Sequence, residues 1–208
     1  MKNILCFGDS NTWGYTPLTT ERYPLNIRWT GVLQSLLGEG FCIIEEGLNG
    51  RTCIHDDPTR TDRNGIKLLP SILKSNSPLD LVIIMLGTND LKASLKQTAY
   101  SISLGAKLVC ESILNSEMLG LKNTQILLIS PSHVEIVPEE DKDEFAHAYD
   151  MSRKLSQYYS IIAKELDIHF YNAAKIVKTS KLDGVHWDGE QHIFFAEQLS
   201  HKIHAILS

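Results

Sequence analysis

The chain has no cluster of basic residues. Its 20 Lys and Arg are outnumbered by 25 Asp and Glu, for a net charge of -5, and they are scattered. A nucleic-acid partner is not expected, because binding a polyphosphate needs grouped cations. Long apolar runs are missing too. The longest, Leu81–Leu86, is far short of the roughly 20 residues of a membrane span, so no membrane partner is expected. Cysteine is scarce: Cys6, Cys42, Cys53 and Cys110, with no CxxC spacing. That excludes a disulfide framework and argues against a structural zinc site, leaving reduced, mostly buried thiols. The Gly8–Gly14 segment does not match a phosphate loop, so no nucleotide is expected. No repeat or low-complexity segment occurs. The N-terminal apolar run Ile4–Phe7 is too short for the core of a secretory signal, which favours a cytoplasmic protein. Neither metal nor cofactor is expected. A length of 208 residues fits one domain over residues 1–208.

What is present is an alternation of short apolar runs and longer helical patterns. Ile4–Phe7, Cys42–Ile44, Leu81–Leu86, Ile126–Ile129 and Ile168–Phe170 read as strands. Most are apolar on both faces, as parallel strands covered by helices must be. Amphipathic stripes lie between them. Trp29, Leu33 and Leu36/Leu37 form one, and Ile102, Ala106, Val109 and Ile113 a second. Phe145, Tyr149, Leu155, Tyr159, Ile162 and Leu166 form a long third. Phe195, Leu199, Ile203 and Ile206 form the last. The acidic run Glu139–Glu144 after Pro138 would complement the dipole at the start of the long helix. The result is an α/β fold with a five-stranded parallel sheet in three layers, α/β/α. Thr16–Asn26 and His55–Asn64 read as loops.

Four short motifs follow strand ends or a late loop: GDSNTWG at Gly8–Gly14, GRT at Gly50–Thr52, GTND at Gly87–Asp90 and DGVH at Asp183–His186. Strand ends of a parallel sheet share one edge, and ligands bind at that carboxyl edge. Ser10 is the candidate nucleophile; taken alone it could be merely a helix N-cap. A serine hydroxyl needs a base, and His186 can serve, with Asp183 to fix its tautomer. Asp188 is a nearby competitor for that last role. The backbone N–H groups of Ser10 and Gly50 and the side-chain amide of Asn89 can form an oxyanion hole. Asp9 and Asp90 read as structural. Asn11, Trp13 and His133 are the candidates for lining the substrate pocket, with Trp29 turned to the core. Asp56 and Asp57 before Pro58 read as a turn rather than a metal site.

The order and spacing of the motifs resemble the SGNH (GDSL) hydrolase family. The likeness extends to ILCFGDSNTWGY, RWTGVL, IEEGLNGRT, DDP and DLVIIMLGTNDLK, which look like the arylesterase/acyltransferase subgroup. Some members of that subgroup have alanine where Gly50 stands; here the broader family's glycine is retained. The likeness covers most of Lys2–Leu95, is least over Asn115–Lys181 and resumes at Asp183–His186. It implies a flavodoxin-like sheet, with Ser10, Asp183 and His186 as the triad and Ser10, Gly50 and Asn89 as oxyanion donors. It further implies hydrolysis of short acyl esters, acetyl and aryl esters included, through an acyl-enzyme. Acyl transfer to alcohols and a homo-oligomer enclosing the site also follow from it. The alternative with the same triad is a carbohydrate O-deacetylase, or a thioesterase/lysophospholipase. A polar cleft lined by His55, Asp56 and Arg22 would favour a sugar. No long apolar loop offers a lipid groove. A binding module without catalysis would be expected to have lost a triad or oxyanion residue, and none is missing.

Overall fold

The computed structural model describes residues 1–116, 121, 123–139 and 142–208. Five parallel strands form the sheet: β1 (Lys2–Gly8), β2 (Phe41–Gly47), β3 (Leu81–Met85), β4 (Gln125–Ser130) and β5 (His169–Asn172), in the order β2-β1-β3-β4-β5. This is the flavodoxin-like order, and the helical crossovers follow from parallel pairing, which a tight turn cannot connect. The three central strands are buried on both faces, whereas β2 and β5 at the edges are half-buried throughout. That is why β2 tolerates Glu45 and Glu46 at its end.

The side-chain period of two divides the core. Leu5, Phe7, Val82, Ile84 and Leu128 point to one face, and Ile4, Cys6, Leu81, Ile83, Leu127 and Ile129 to the other. The first face packs on α3 (Gly65–Asn76), α4 (Ala99–Leu114) and α5 (Ala148–Glu165) through Leu69, Leu73, Ile102, Val109, Leu155 and Tyr159. The second packs on α2 (Trp29–Leu37) and α6 (Gly189–Leu207) through Trp29, Leu33, Phe195, Leu199 and Ile203. Trp29 and Trp187 are fully buried in that second layer. Losing either to alanine should cost about 3–5 kcal/mol.

The five strands and four stripes expected from the sequence are present. One element was not expected and one expectation needs correction. Helix α3 carries Pro70 in its interior, a residue that ordinarily ends or kinks a helix, and this helix is not among the stripes expected from the sequence. The long helix starts at Ala148, not in the acidic run, after His147 takes a left-handed φ of 70°. Residues 140 and 141 of that run lie outside the described residues. Glu144, at its end, turns back to the third motif instead: its carbonyl accepts from Ala93 N at 2.8 Å and its carboxylate from Lys92 Nζ at 2.8 Å. Phe145 precedes the helix for the same reason. Among the described residues no helix is long and apolar enough to cross a membrane.

Candidate active site

Strand β1 ends in Gly8, where a Cβ would fall 2.0 Å from Thr12 Oγ1, so only glycine admits the turn that follows. Asp9 caps the single-turn helix α1 (Ser10–Trp13) by accepting from Asn11 N at 3.0 Å. Ser10 is thereby presented above the sheet edge. Its Oγ lies 2.9 Å from His186 Nε2, and His186 Nδ1 lies 2.7 Å from Asp183 Oδ2. The other Asp183 oxygen accepts from the backbone N–H groups of Val185 and His186, at 2.9 Å each. Burial pushes the Asp183 carboxyl up, but the His186 hydrogen bond, its charge and those two N–H groups outweigh it. The net effect holds Asp183 below the ordinary carboxylate range, so it is ionised wherever a basic His186 is useful.

Gly50 has φ of 82°, a left-handed conformation that fits glycine after β2. Asn89, in the turn after β3, donates Nδ2 to the Arg51 carbonyl at 3.1 Å. One amide hydrogen is held there, which fixes the amide and leaves the second for a ligand. The third and second motifs are tied by Asp90, which is fully buried and accepts from Cys53 N at 3.0 Å through each carboxylate oxygen. Tyr159 of α5 supports the same turn, donating to the Leu86 carbonyl at 3.0 Å; a Cβ on Gly87 would strike its hydroxyl at 2.5 Å.

A cavity of about 390 Å³ opens over Ser10, Gly50, Asn89, Asp183 and His186, so the structure brings those five together. The remaining lining residues are apolar or aromatic at Tyr15, Leu18, Phe145 and Val185 and polar at Thr20, Asn49, Arg60, Lys92 and Glu144. The Tyr15 ring stacks on His186 at 4.3 Å between centroids.

The three pocket candidates are placed elsewhere. Asn11 is buried and outside the lining. Its Oδ1 accepts from Trp187 N at 3.1 Å and its Nδ2 donates to the Val185 carbonyl at 3.3 Å. It grips the chain on both sides of His186. Trp13 lies one ring further out, 6.4 Å from Tyr15, under the Arg22 guanidinium. His133 lines a separate cavity with Glu135 and Val177, because its peptide turns back to accept from Thr179 Oγ1. The suggested sugar-binding trio is also engaged elsewhere: His55 on Asp90, Asp56 on Lys67, Arg22 on Glu45 and the Trp13 carbonyl. Trp29 is in the core, its indole N–H on the Asn11 carbonyl at 3.1 Å. Sequence reasoning missed Tyr15, Leu18, Arg60, Lys92, Glu144 and Phe145 as lining. Only Tyr15 and Lys92, next to motif residues, carried a local signal. Asp57, as the DDP turn suggested, folds its carboxylate onto Thr59 N at 2.8 Å.

The arrangement can move the Ser10 proton to His186, with Gly50 and Asn89 lining the same cavity. The family model of the GDSL-like lipase/acylhydrolase family matches residues 6–204. A carbohydrate acetylesterase from Sinorhizobium meliloti is 36% identical, with a TM-score of 0.95 over 99% of this chain and 100% of that one. An aryl esterase from M. smegmatis is 37% identical, with a TM-score of 0.95 over the whole of both chains. A putative arylesterase from Agrobacterium tumefaciens str. C58 is 32% identical, with a TM-score of 0.91 over the whole of both chains. No curated protein sequence matches. With a family match across nearly its whole length and an esterase fold shared end to end, the chain belongs to the GDSL-like lipase/acylhydrolase family and is a carboxylic ester hydrolase.

Proposed function

We propose that this serine esterase cleaves short acyl esters, acetyl and aryl esters above all, with Ser10 as nucleophile. His186 takes the Ser10 proton as the hydroxyl attacks the ester carbonyl and returns it to the departing alcohol. Asp183 holds the imidazole in the tautomer that leaves Nε2 free. The carbonyl oxygen, now negative, is received by the N–H groups of Ser10 and Gly50 and the Asn89 amide. Water then resolves the acyl-enzyme with His186 as base again. The observation that carries this reading is the continuous chain from Ser10 Oγ through His186 to Asp183, with contacts of 2.9 and 2.7 Å. The small cavity, lined on its apolar part by Tyr15, Leu18, Phe145 and Val185, favours acetyl through butyryl groups.

A panel of p-nitrophenyl esters from acetate to long chains, with acetylated sugars beside it and Ser10→Ala as control, tests the proposal. Short esters should dominate and Ser10→Ala should lose several orders of magnitude in kcat. Near-normal turnover by folded Ser10→Ala, or activity rising steadily beyond about ten carbons, would sink it. Removal of acetyl groups from carbohydrates is the second reading. It is favoured by the polar wall of Asn49, Lys92 and Glu144 and by the likeness to the Sinorhizobium enzyme.

We further infer a homo-oligomer whose neighbouring subunit covers the cavity mouth. Leu18 at the mouth is exposed, and so are Leu182 and Ile136 around the Asp183–His186 turn, Ile136 at 84%. Exposed apolar side chains grouped about one site mark interaction surfaces. Enclosure would let an alcohol compete with water for the acyl-enzyme, so transfer should accompany hydrolysis.

A further inference from the structure

The charges in the cavity wall are not evenly satisfied. Lys92 is held by Glu144 at 2.8 Å and Asp57 at 3.4 Å, and Asp183 is held by His186. Both acids of the lining are therefore claimed. Away from the cavity, Arg22 and Arg28 share Glu45, and Arg153 takes Glu135. Arg60 differs: among the described residues it has no hydrogen bond, ion pair or ring partner.

Its position is specific. A Cβ built on Gly50 would lie 3.2 Å from Arg60 Nη1 and 3.4 Å from both Cδ and Nε of Arg63. Arg60 thus lies against the residue proposed as an oxyanion donor. Arg63 donates Nη1 to the Thr61 carbonyl at 2.9 Å, but its Nε is buried without an acceptor. Two guanidinium groups with unclaimed donors converge on one glycine at the edge of the cavity. A guanidinium presents a planar fork that matches carboxylate and phosphate, and Arg60, itself exposed, presents that fork at the open edge of the cavity.

We propose that Arg60 selects esters bearing a second, permanently anionic group, a carboxylate or phosphate, close to the scissile carbonyl. This rests on the esterase reading above and names its substrate class. The protein's net charge of -5 would otherwise repel such a molecule, so a local cation at the site is what lets it dock.

The experiment compares matched pairs. p-Nitrophenyl hemisuccinate against p-nitrophenyl butyrate places the charge on the acyl side. Acetoxybenzoate against its methyl ester places a carboxylate on the alcohol side, and acetoxyethyl phosphate against methoxyethyl acetate places a phosphate there. The readout is the ratio of kcat/KM, charged over neutral, in at least one pair. Arg60→Ala should lower that ratio about tenfold, and Arg60→Lys should restore part of it, since charge is kept and the fork is lost. In the unmodified protein about 0.5 M NaCl should lower the same ratio severalfold, and in Arg60→Ala it should not. The salt arm needs no variant to fold. A ratio that Arg60→Ala leaves unmoved in every pair, or a wild-type ratio indifferent to salt, overturns the proposal. Ser10→Ala on p-nitrophenyl acetate separates the two failures: if that activity depends on Ser10 while the ratios stay put, only the role of Arg60 falls.

Discussion

Asn89 and Asp9 stand a few ångströms from the chemistry and serve it in opposite ways. Asn89 has one amide hydrogen committed to the Arg51 carbonyl and one to spare. Its bond to the carbonyl oxygen strengthens as negative charge develops, so Asn89→Ala should reduce kcat by roughly 10²–10³-fold with a smaller change in KM. Steady-state kinetics on p-nitrophenyl acetate checks this; an unchanged kcat with a raised KM would make Asn89 a binding residue only. Asp9 touches no substrate. Burial raises its carboxyl from 3.8 to about 6, against the opposing pull of Asn11 N–H and His186. The folded protein therefore keeps a proton that the unfolded chain releases near the ordinary value. Proton uptake is greater in the folded state through that window, so stability falls as pH rises from about 4 to about 6. Asp9→Asn removes the titration. Its Tm advantage should grow across that window and level off above it, at roughly 5 °C. Turnover should fall, because an anion beside His186 is lost. Thermal melts at a series of pH values decide it; a Tm difference that does not vary with pH would refute the assignment.

Among the elements, the join between α1 and the Asp183–His186 turn governs the triad. The two lie 176 residues apart in sequence and are tied by Asn11, which satisfies Trp187 N and the Val185 carbonyl together. Trp187 is pinned in turn by Ser132 after β4, its indole donating at 2.8 Å. The segment after β4 also supports the turn directly, through Glu135 N on the Gly184 carbonyl at 2.8 Å. Asn11→Ala leaves two buried peptide groups unpaired, which costs about 2–3 kcal/mol and should lower Tm by roughly 5–10 °C. The same change should lower kcat about tenfold or more with KM little altered, since Asn11 does not reach the cavity. A raised KM at normal kcat would instead restore the substrate-binding role expected from its place beside the nucleophile.

At the scale of the whole molecule, the proposed covering of the cavity mouth would decide what resolves the acyl-enzyme. A homo-oligomer should be seen by sedimentation at micromolar concentration, and a primary alcohol added with p-nitrophenyl acetate should yield alkyl acetate beside acetate. A monomer would remove the physical reason for enclosure. Acetate alone at high alcohol concentration would leave a plain hydrolase. Replacing Leu18 with Ser should then shift product toward acetate, because the mouth would admit water more readily.

Much of this was legible in the sequence because it is written in local rules. Short apolar runs placed the strands, and the 3.6-residue stripes placed α2, α4, α5 and α6. Four short motifs, at strand ends or in the late turn, named the five residues that the fold gathers. Helix α3 was not legible because Pro70 interrupts its pattern, and the start of α5 was misplaced because a left-handed His147 delays it. The cavity wall was hidden for a different reason. Leu18, Arg60, Glu144 and Phe145 come from three connecting segments whose closure depends on distant partners, such as Ala93 for Glu144. Asn11 shows the limit most sharply. Sequence adjacency to Ser10 made it a pocket candidate, while the crossing of the late turn over α1 buried it and assigned its amide to the backbone. A residue's chemistry is local and so can be read in order along the chain. Which way its side chain faces depends on what packs over it, and only the tertiary structure supplies that.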